Sequence, residues 1–222
     1  MSTPRAPSSS SDSASRTGET ADIPLGFGGV SAAPGDHIAH FYRGNAQRFS
    51  VLGPYIETGL RRGERCVFIS APDVAEELRS WLEAQGRDVQ AAEESGQLVL
   101  DPGRATPEDM RALAAEVEAS AQNDGPKAVR WSGDAGWALA ADITVHDMLH
   151  WEALYDKCSN ENWQMLALCQ FDQSQFSGDV LMDALRSHPY CVMGQVVVPN
   201  PFHMSPEALM EELAAKENGA SS

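Results

Sequence analysis

The stretch Met165-Leu-Ala-Leu-Cys-Gln-Phe-Asp-Gln-Ser-Gln-Phe176 decides how this chain is read. Its first half is a short apolar run bounded by polar residues, the pattern of a parallel strand buried on both faces. The run stops abruptly at Cys169-Gln170-Phe171-Asp172, and a helix is expected from about Gly178 to Ser187. Pro189 ends that helix and pushes His188 into an extended conformation. In an open α/β sheet, ligands bind just beyond the carboxyl ends of the strands. This strand end would therefore carry a thiol, an aromatic ring and a carboxylate to a binding edge.

Outward from this stretch, strand-like and helix-like patterns alternate. Strands are expected at Ile38–Tyr42, Arg65–Ser70, Leu98–Asp101, Ala128–Trp131, Trp163–Cys169 and Cys191–Val198. Between them, Ala46 to Leu60 has helical spacing, with Phe49, Leu52, Ile56 and Leu60 on one face. Asp73 is placed to cap a helix running to about Gln85, with Gly86 as its stop. Pro107 opens another helix at its first position. Further helices run from Val145 to about Lys157 and from Ser205 onward. Strands alternating with helices predict a three-layer α/β/α fold with a mainly parallel central sheet.

Residues 1–34 are rich in Ser, Ala, Thr, Gly and Pro without periodic apolar positions, and are expected to be disordered. One α/β domain is expected over 35–217, with a flexible tail over 218–222. The chain has 222 residues, 16 basic and 32 acidic, for a formal charge of −16. Such a surface repels phosphate backbones and argues against direct nucleic-acid binding. No secretory signal or membrane-length apolar run is present, so a cytoplasmic protein is the plain reading. The four cysteines, Cys66, Cys158, Cys169 and Cys191, form no C-x-x-C pair. Three of them fall in apolar runs, where a reduced thiol packs as a small hydrophobe.

The ordered set of motifs resembles a known family. It comprises a short strand ending Phe41-Tyr42, then Gly59-Leu-Arg-Arg-Gly63-Glu64, and Cys66-Val-Phe-Ile69. Gly86-Arg-Asp-Val89, Gly96-Gln-Leu98, Arg130…Gly133-Asp134…Trp137 and Trp151-Glu152 follow. Cys169-Gln-Phe-Asp172, His188-Pro189 and Asn200-Pro-Phe202 complete it. Together these resemble the MEDS domain, the methanogen/methylotroph DcmR sensory domain, from about His37 to His203. The resemblance implies a sensory domain on a degenerate RecA/KaiC-like scaffold, sensing small hydrocarbon derivatives. It also implies adjacent DNA-binding or kinase modules, which this sequence does not carry. A ligand role for His188 rests mainly on this resemblance.

A RecA-like ATPase needs a Gly-rich loop and a Lys after its first long core strand. The loop after Arg65–Ser70 is Ser70-Ala-Pro-Asp73, with no G-x-x-x-x-G-K and an acid that would repel phosphate. The scaffold is therefore read as RecA/KaiC-like without a P-loop, and nucleotide binding has no positive support. Under this topology the strand ends bring Ser70-Ala-Pro72, Ser132-Gly-Asp134, Gln170-Phe-Asp172 and Pro199-Asn200 to one rim. A buried Arg130–Asp134 pair there would orient a polar ligand group. In a second reading, Arg130, Asp134 and Glu152 instead form a paired network holding the Gly133 loop. Trp131, Trp137, Trp151, Phe171 and Phe176 either wall an apolar pocket or pack the core.

His146 and His150 share one helical face but lack the Glu of H-E-x-x-H. His37 and His40 fall on opposite strand faces and cannot easily chelate one ion. No metal site is assigned on either pair, and no cofactor is identified. Cys169 reads as a buried strand-end thiol rather than a reactive one, since Asp172 nearby opposes thiolate formation.

These residues predict a non-enzymatic sensory module binding a small organic ligand at the carboxyl edge. Arg130, Asp134 and Asp172 would supply polar contacts, Trp137, Phe171 and Cys169 walls, with Glu152 and His188 beside them. The expected partner is a separate signalling protein: a kinase, an anti-sigma factor or a transcription regulator. RecA-like relatives often form homo-oligomers, and nothing in the sequence marks such an interface. Two other readings stand beside this one. The first is a residual nucleotide-hydrolysing or thiol-dependent enzyme, and the second is a ligand-free adaptor.

Overall fold

The computed structural model describes residues 22–123, 128–141, 143–161 and 165–220. A small antiparallel pair comes first, β1 (Ile23–Pro24) and β2 (Ser31–Ala32). The main elements then follow as β3 (His37–Tyr42), α1 (Gly44–Arg61), β4 (Arg65–Ile69), α2 (Pro72–Ala84) and α3 (Val89–Glu94). Next come β5 (Leu98–Asp101), α4 (Pro107–Asn123), β6 (Val129–Asp134), α5 (Gly136–Ala140) and α6 (Val145–Glu161). The chain continues through β7 (Leu166–Asp172), α7 (Gly178–Arg186), β8 (Tyr190–Met193), β9 (Val196–Pro199) and α8 (Pro206–Ala220).

The central sheet has seven strands in the order β5-β4-β6-β7-β3-β8-β9, parallel except for the antiparallel β8–β9 pair. Period-two alternation splits its side chains into two cores. Val67, Trp131, Ala167 and Phe171 face a layer made by α4 to α8. Ile38, Phe68, Leu166 and Leu168 face α1, α2 and α3. This is the expected three-layer α/β/α fold. All seven residues of β7 are buried, as its unbroken apolar run requires of a strand covered on both sides.

Several sequence expectations are corrected. The segment taken as disordered to Pro34 is ordered from Asp22. Its Leu25 and Phe27 are buried among the side chains of α1, so the folded domain begins earlier than residue 35. Gly26 has φ +91 and lies against the Pro54 carbonyl, an approach that a Cβ would block. The sequence there has no periodicity because a two-residue strand pair is too short to display one. Cys191 to Val198, read as one strand, is a hairpin, turned at Gly194 with φ +66. Pro72 sits at the start of α2 after an Ala71 cap, so Asp73 is inside the first turn rather than capping it. Helix α8 runs to Ala220, past the expected start of a loose tail. The expectations for residues 1–21, for Trp163 and for the final two residues lie outside the described residues.

Candidate functional site

Strand β3 defines the topological switch point. Its connection through α1 leads toward β4 on one side, whereas the connection from β7 through α7 crosses to β8 on the other. The crevice of an open α/β sheet lies at such a reversal, beyond the carboxyl ends. It falls here between Tyr42 and Asp172, which are register partners. The strand preceding the phosphate-loop position is therefore β3, not the longer apolar run of β4. Both histidines of the short sequence His37-Ile-Ala-His-Phe-Tyr42 are buried. The loop it feeds, Arg43-Gly44-Asn45-Ala46, also has no G-x-x-x-x-G-K.

At this edge, on the α1 face, the Tyr42 hydroxyl donates to Asp134 Oδ2 at 2.5 Å. Arg48 from the first turns of α1 lies over the Tyr42 ring at 4.9 Å and places Nε 3.4 Å from the same carboxylate oxygen. Its Nη1 donates to Glu77 Oε2 at 2.8 Å. Burial raises the Asp134 pKa above its ordinary value, an effect opposed by Tyr42 and Arg48. Burial and the Asp134 charge hold the Tyr42 phenol well above its usual value. Two buried polar atoms here have no hydrogen-bond partner, Arg48 Nε and Ser70 Oγ. Ser70 directly follows β4, one residue beyond the Ile69–Gly133 register pair, which places it next to the end of β6 that carries Asp134.

The expected site residues separate into three places. Asp134 and Asp172 reach the switch-point edge. Asp172 holds the turn after β7, accepting from the Ser174 backbone N–H at 2.9 Å and its hydroxyl at 2.7 Å. Burial raises its pKa, but the Ser174 bonds, with Gln175 and the Arg48 charge, together outweigh it and leave it lowered.

Arg130 lies elsewhere. It is fully buried under α1, where it donates to Glu64, the Tyr55 carbonyl and the Pro24 carbonyl and sits over the Tyr55 ring. The expected Arg130–Asp134 pair is not formed, and neither is the alternative network with Glu152. Four residues along a strand advance too far for the Arg130 side chain to reach the strand's carboxyl end. Trp137 is 5% exposed and packs over Gly103, where an added Cβ would come within 2.6 Å of the ring. Trp131 and Trp151 are core side chains with ring centroids 6.2 Å apart. Pro199 and Asn200 end an antiparallel strand and so lie at the opposite edge from Asp134. The Asn200 amide instead donates to the Leu185 and His188 carbonyls at 2.7 Å each, fixing the His188 turn.

The third place holds Glu152, Cys169 and His188, with His37 as a fourth member. All four are buried on the α6 face of the sheet, beneath β3 and β7. His37 and Cys169 share a face because β3 and β7 run parallel with Ala39 opposite Cys169. Glu152 descends from α6, and His188 enters from the turn after α7. Glu152 Oε2 is 3.3 Å from His37 Nε2 and 3.4 Å from His188 Nε2, and Cys169 Sγ is 3.4 Å from His37 Nε2. The two imidazoles lie with centroids 3.9 Å apart and planes tilted by 36°, and Phe171 meets His188 edge-on at 5.7 Å.

Burial and the neighbouring His37 push His188 down to about 3. Burial works against a charged His37, but Asp156 and Glu152 outweigh it and raise its pKa. Glu152 is correspondingly lowered by His37 and His188 against the effect of burial. Burial and the Glu152 charge hold the Cys169 thiol far above its ordinary value, which makes it a poor nucleophile. His37 and His40 face opposite sides of β3, as their spacing requires. The real neighbours of His37 come from other elements, and no sequence spacing connects them. One signal was available: Glu152 and Asp156 are one helical turn apart on α6, so they share a face.

The comparisons with known proteins agree with this architecture. The sequence profile of the MEDS family (MEthanogen/methylotroph, DcmR Sensory domain) matches residues 36–189, and the chain belongs to that family. It is similar to the transcriptional repressor DcmR of Methylorubrum extorquens (strain DSM 6343 / CIP 106787 / DM4), at 30% identity over 162 residues. That alignment covers 72% of this chain and 60% of DcmR, so the chain spans about three fifths of that relative. Among solved structures it resembles the KaiC-like protein PH0186 from Pyrococcus horikoshii OT3, with a TM-score of 0.56 at 13% identity. That match covers 78% of this chain and 79% of the other. The protein is thus a MEDS-family sensory domain on a RecA/KaiC-like fold. Among the described residues, no helix is long and apolar enough to cross a membrane.

Proposed function

We propose that this chain is a non-enzymatic sensory domain that takes a small organic ligand at the switch-point edge and passes its state to a separate signalling protein. The observation that carries this reading is the pair of buried, unsatisfied polar atoms at that edge, Arg48 Nε and Ser70 Oγ, beside the Asp134 carboxylate. An unmade hydrogen bond on a buried group costs roughly 1–3 kcal/mol, and a ligand oxygen reaching either atom would recover it. A hydroxyl or carbonyl on a short hydrocarbon has the chemistry these atoms request. Binding changes a partner's state only if it differs in free energy between two conformations. The Tyr42–Asp134–Arg48 contacts supply a set of bonds that a ligand exchanges for its own.

A kinase, an anti-sigma factor or a transcription regulator is the class of partner proposed. The formal charge of −16 supports a protein partner over direct contact with DNA. The non-enzymatic reading is supported by the lack of a phosphate loop after β3 and by a Cys169 thiol held protonated.

Isothermal titration of the folded protein with short alcohols, aldehydes and halogenated hydrocarbons tests the proposal. At least one class is expected to bind, and Arg48→Met to weaken it about tenfold, the equivalent of one charge-assisted hydrogen bond. Uniformly absent binding to folded protein would overturn the ligand reading. ATP turnover abolished by Asp134→Asn would overturn the non-enzymatic one.

A further inference from the structure

We propose that His37, Cys169, Glu152 and His188 form a buried tetrahedral site for a zinc-class divalent ion, tying β3, β7, α6 and the α7–β8 turn together. The site is separate from the switch-point edge and does not depend on a ligand binding there.

Geometry carries this assignment. The four donor atoms all lie within 4.8 Å of one another, and the measured neighbours are 3.3, 3.4 and 3.4 Å apart. A tetrahedral ion bound at about 2.0–2.1 Å by N or O and about 2.3 Å by S spaces adjacent donors roughly 3.3–3.6 Å apart. A hydrogen bond between an imidazole and a carboxylate would instead draw in to about 2.7–2.9 Å. His188 Nε2 and Glu152 Oε2, both withdrawn from water, have no hydrogen-bond partner in good geometry. They face each other at the separation that a shared ion sets.

The groups behind the donors are also those of a metal site. A ligating His usually gives its other ring nitrogen to a carbonyl or carboxylate, which fixes the tautomer and aims the free lone pair at the metal. His188 Nδ1 is 2.7 Å from the Ala184 carbonyl, leaving Nε2 for an ion. His37 Nδ1 faces the Asp156 carboxylate at 3.7 Å, an ion-pair distance longer than a hydrogen bond, and Asp156 Oδ2 is 3.0 Å from His203 Nε2. The donor chemistry selects the ion: a thiolate with two imidazoles suits zinc, whereas magnesium and calcium take oxygen ligands. On binding, the Cys169 thiol proton leaves to solvent, and so does the Nε2 proton of His37 where that imidazole is charged. The resulting thiolate and the Glu152 carboxylate then balance the two charges of the ion, so the buried site is neutral.

The experiment uses the full chain without a His tag, stripped of metal by a chelator and titrated with Zn2+ or with Co2+ as a spectroscopic probe. One ion per chain is expected, with a near-ultraviolet thiolate-to-cobalt band and the intense visible absorption of tetrahedral cobalt. Cys169→Ser should abolish the near-ultraviolet band, and His188→Gln should weaken zinc binding at least about tenfold, comparable to the loss of a supporting shell. His146→Ala should leave stoichiometry and spectrum unchanged, which separates this site from the His146/His150 pair on α6. A wild-type cobalt spectrum of the weak octahedral type without a thiolate band would overturn the proposal. So would zinc affinity unaltered by both Cys169→Ser and His188→Gln. The wild-type spectrum decides the matter even if neither variant folds.

Discussion

Two clusters of charge are buried on opposite faces of adjacent strands, and their bond lengths set them apart. Under α1, Arg130 directs Nε to Glu64, Nη1 to the Tyr55 carbonyl at 3.2 Å and Nη2 to the Pro24 carbonyl at 2.6 Å. The other Glu64 oxygen takes a bond from Arg62 at 2.5 Å. Under α6, the nearest contacts among His37, Glu152, Cys169 and His188 are 3.3–3.4 Å, and polar atoms stay unpaired. The first cluster is closed by its own hydrogen bonds and serves as structure. In the second, three donor pairs stand at 3.3–3.4 Å, longer than charge-assisted hydrogen bonds. Burial alone therefore does not mark a functional charge; the unfilled valence does.

Arg130→Met is expected to give the largest effect, because it strands Glu64 in the core without its main partner. The loss should be about 3–5 kcal/mol in urea denaturation, with cobalt stoichiometry unchanged in protein that still folds. A loss below about 1 kcal/mol would break the contrast by showing that the first cluster is not structural. Tyr42→Phe comes next. It removes one donor from Asp134 while Arg48 and the Gly136 N–H remain, and should cost about 1–2 kcal/mol by the same measurement.

Asp172→Ala should be the smallest, near 1 kcal/mol, through loss of the bonds that hold the turn after β7. Its pH dependence has a definite sign. The Asp172 pKa is lowered in the folded state, so its contribution is fully present above the unfolded value of about 3.9. It is lost as pH falls through the lower folded value. The gap between wild type and Asp172→Ala should therefore hold from pH 7 to about 5 and narrow below about 4. A gap that widened in acid would contradict the bonding described.

The layers and most elements were legible because they rest on local patterns. Apolar runs at Arg65–Ser70 and Met165–Cys169 are too short for helices, and Pro107 and Ser205-Pro206 announce helix starts. The hairpin at Gly194 was missed because one positive-φ glycine in a β-branched run is a weak signal. Ordering of Asp22 to Pro34 was missed because that segment is held by α1 and Arg130 rather than by its own periodicity. In the candidate sites, Asp134, Glu152, Cys169 and His188 were named from sequence, whereas Tyr42, Arg48 and His37 were not. Those three belong to β3 and the start of α1, a short stretch whose central place in the sheet no local feature announces.

The sequence alone determined that this is an alternating α/β domain without a phosphate loop, and its ordered motifs pointed to the MEDS family. Those conclusions need only periodicity, turn chemistry and the order of motifs, all encoded along the chain. Tertiary structure decided which strand is the switch point, and which edge each strand end reaches. It also divided one list of polar residues into a rim, a closed ion pair and a four-donor cluster. The reason is register: in parallel pairing, residues more than a hundred positions apart, such as His37 and Cys169, become neighbours. No spacing within either segment encodes that meeting. The Cys169-Gln170-Phe171-Asp172 strand end is itself divided, its thiol and ring turned toward α6 and its amide and carboxylate toward α1.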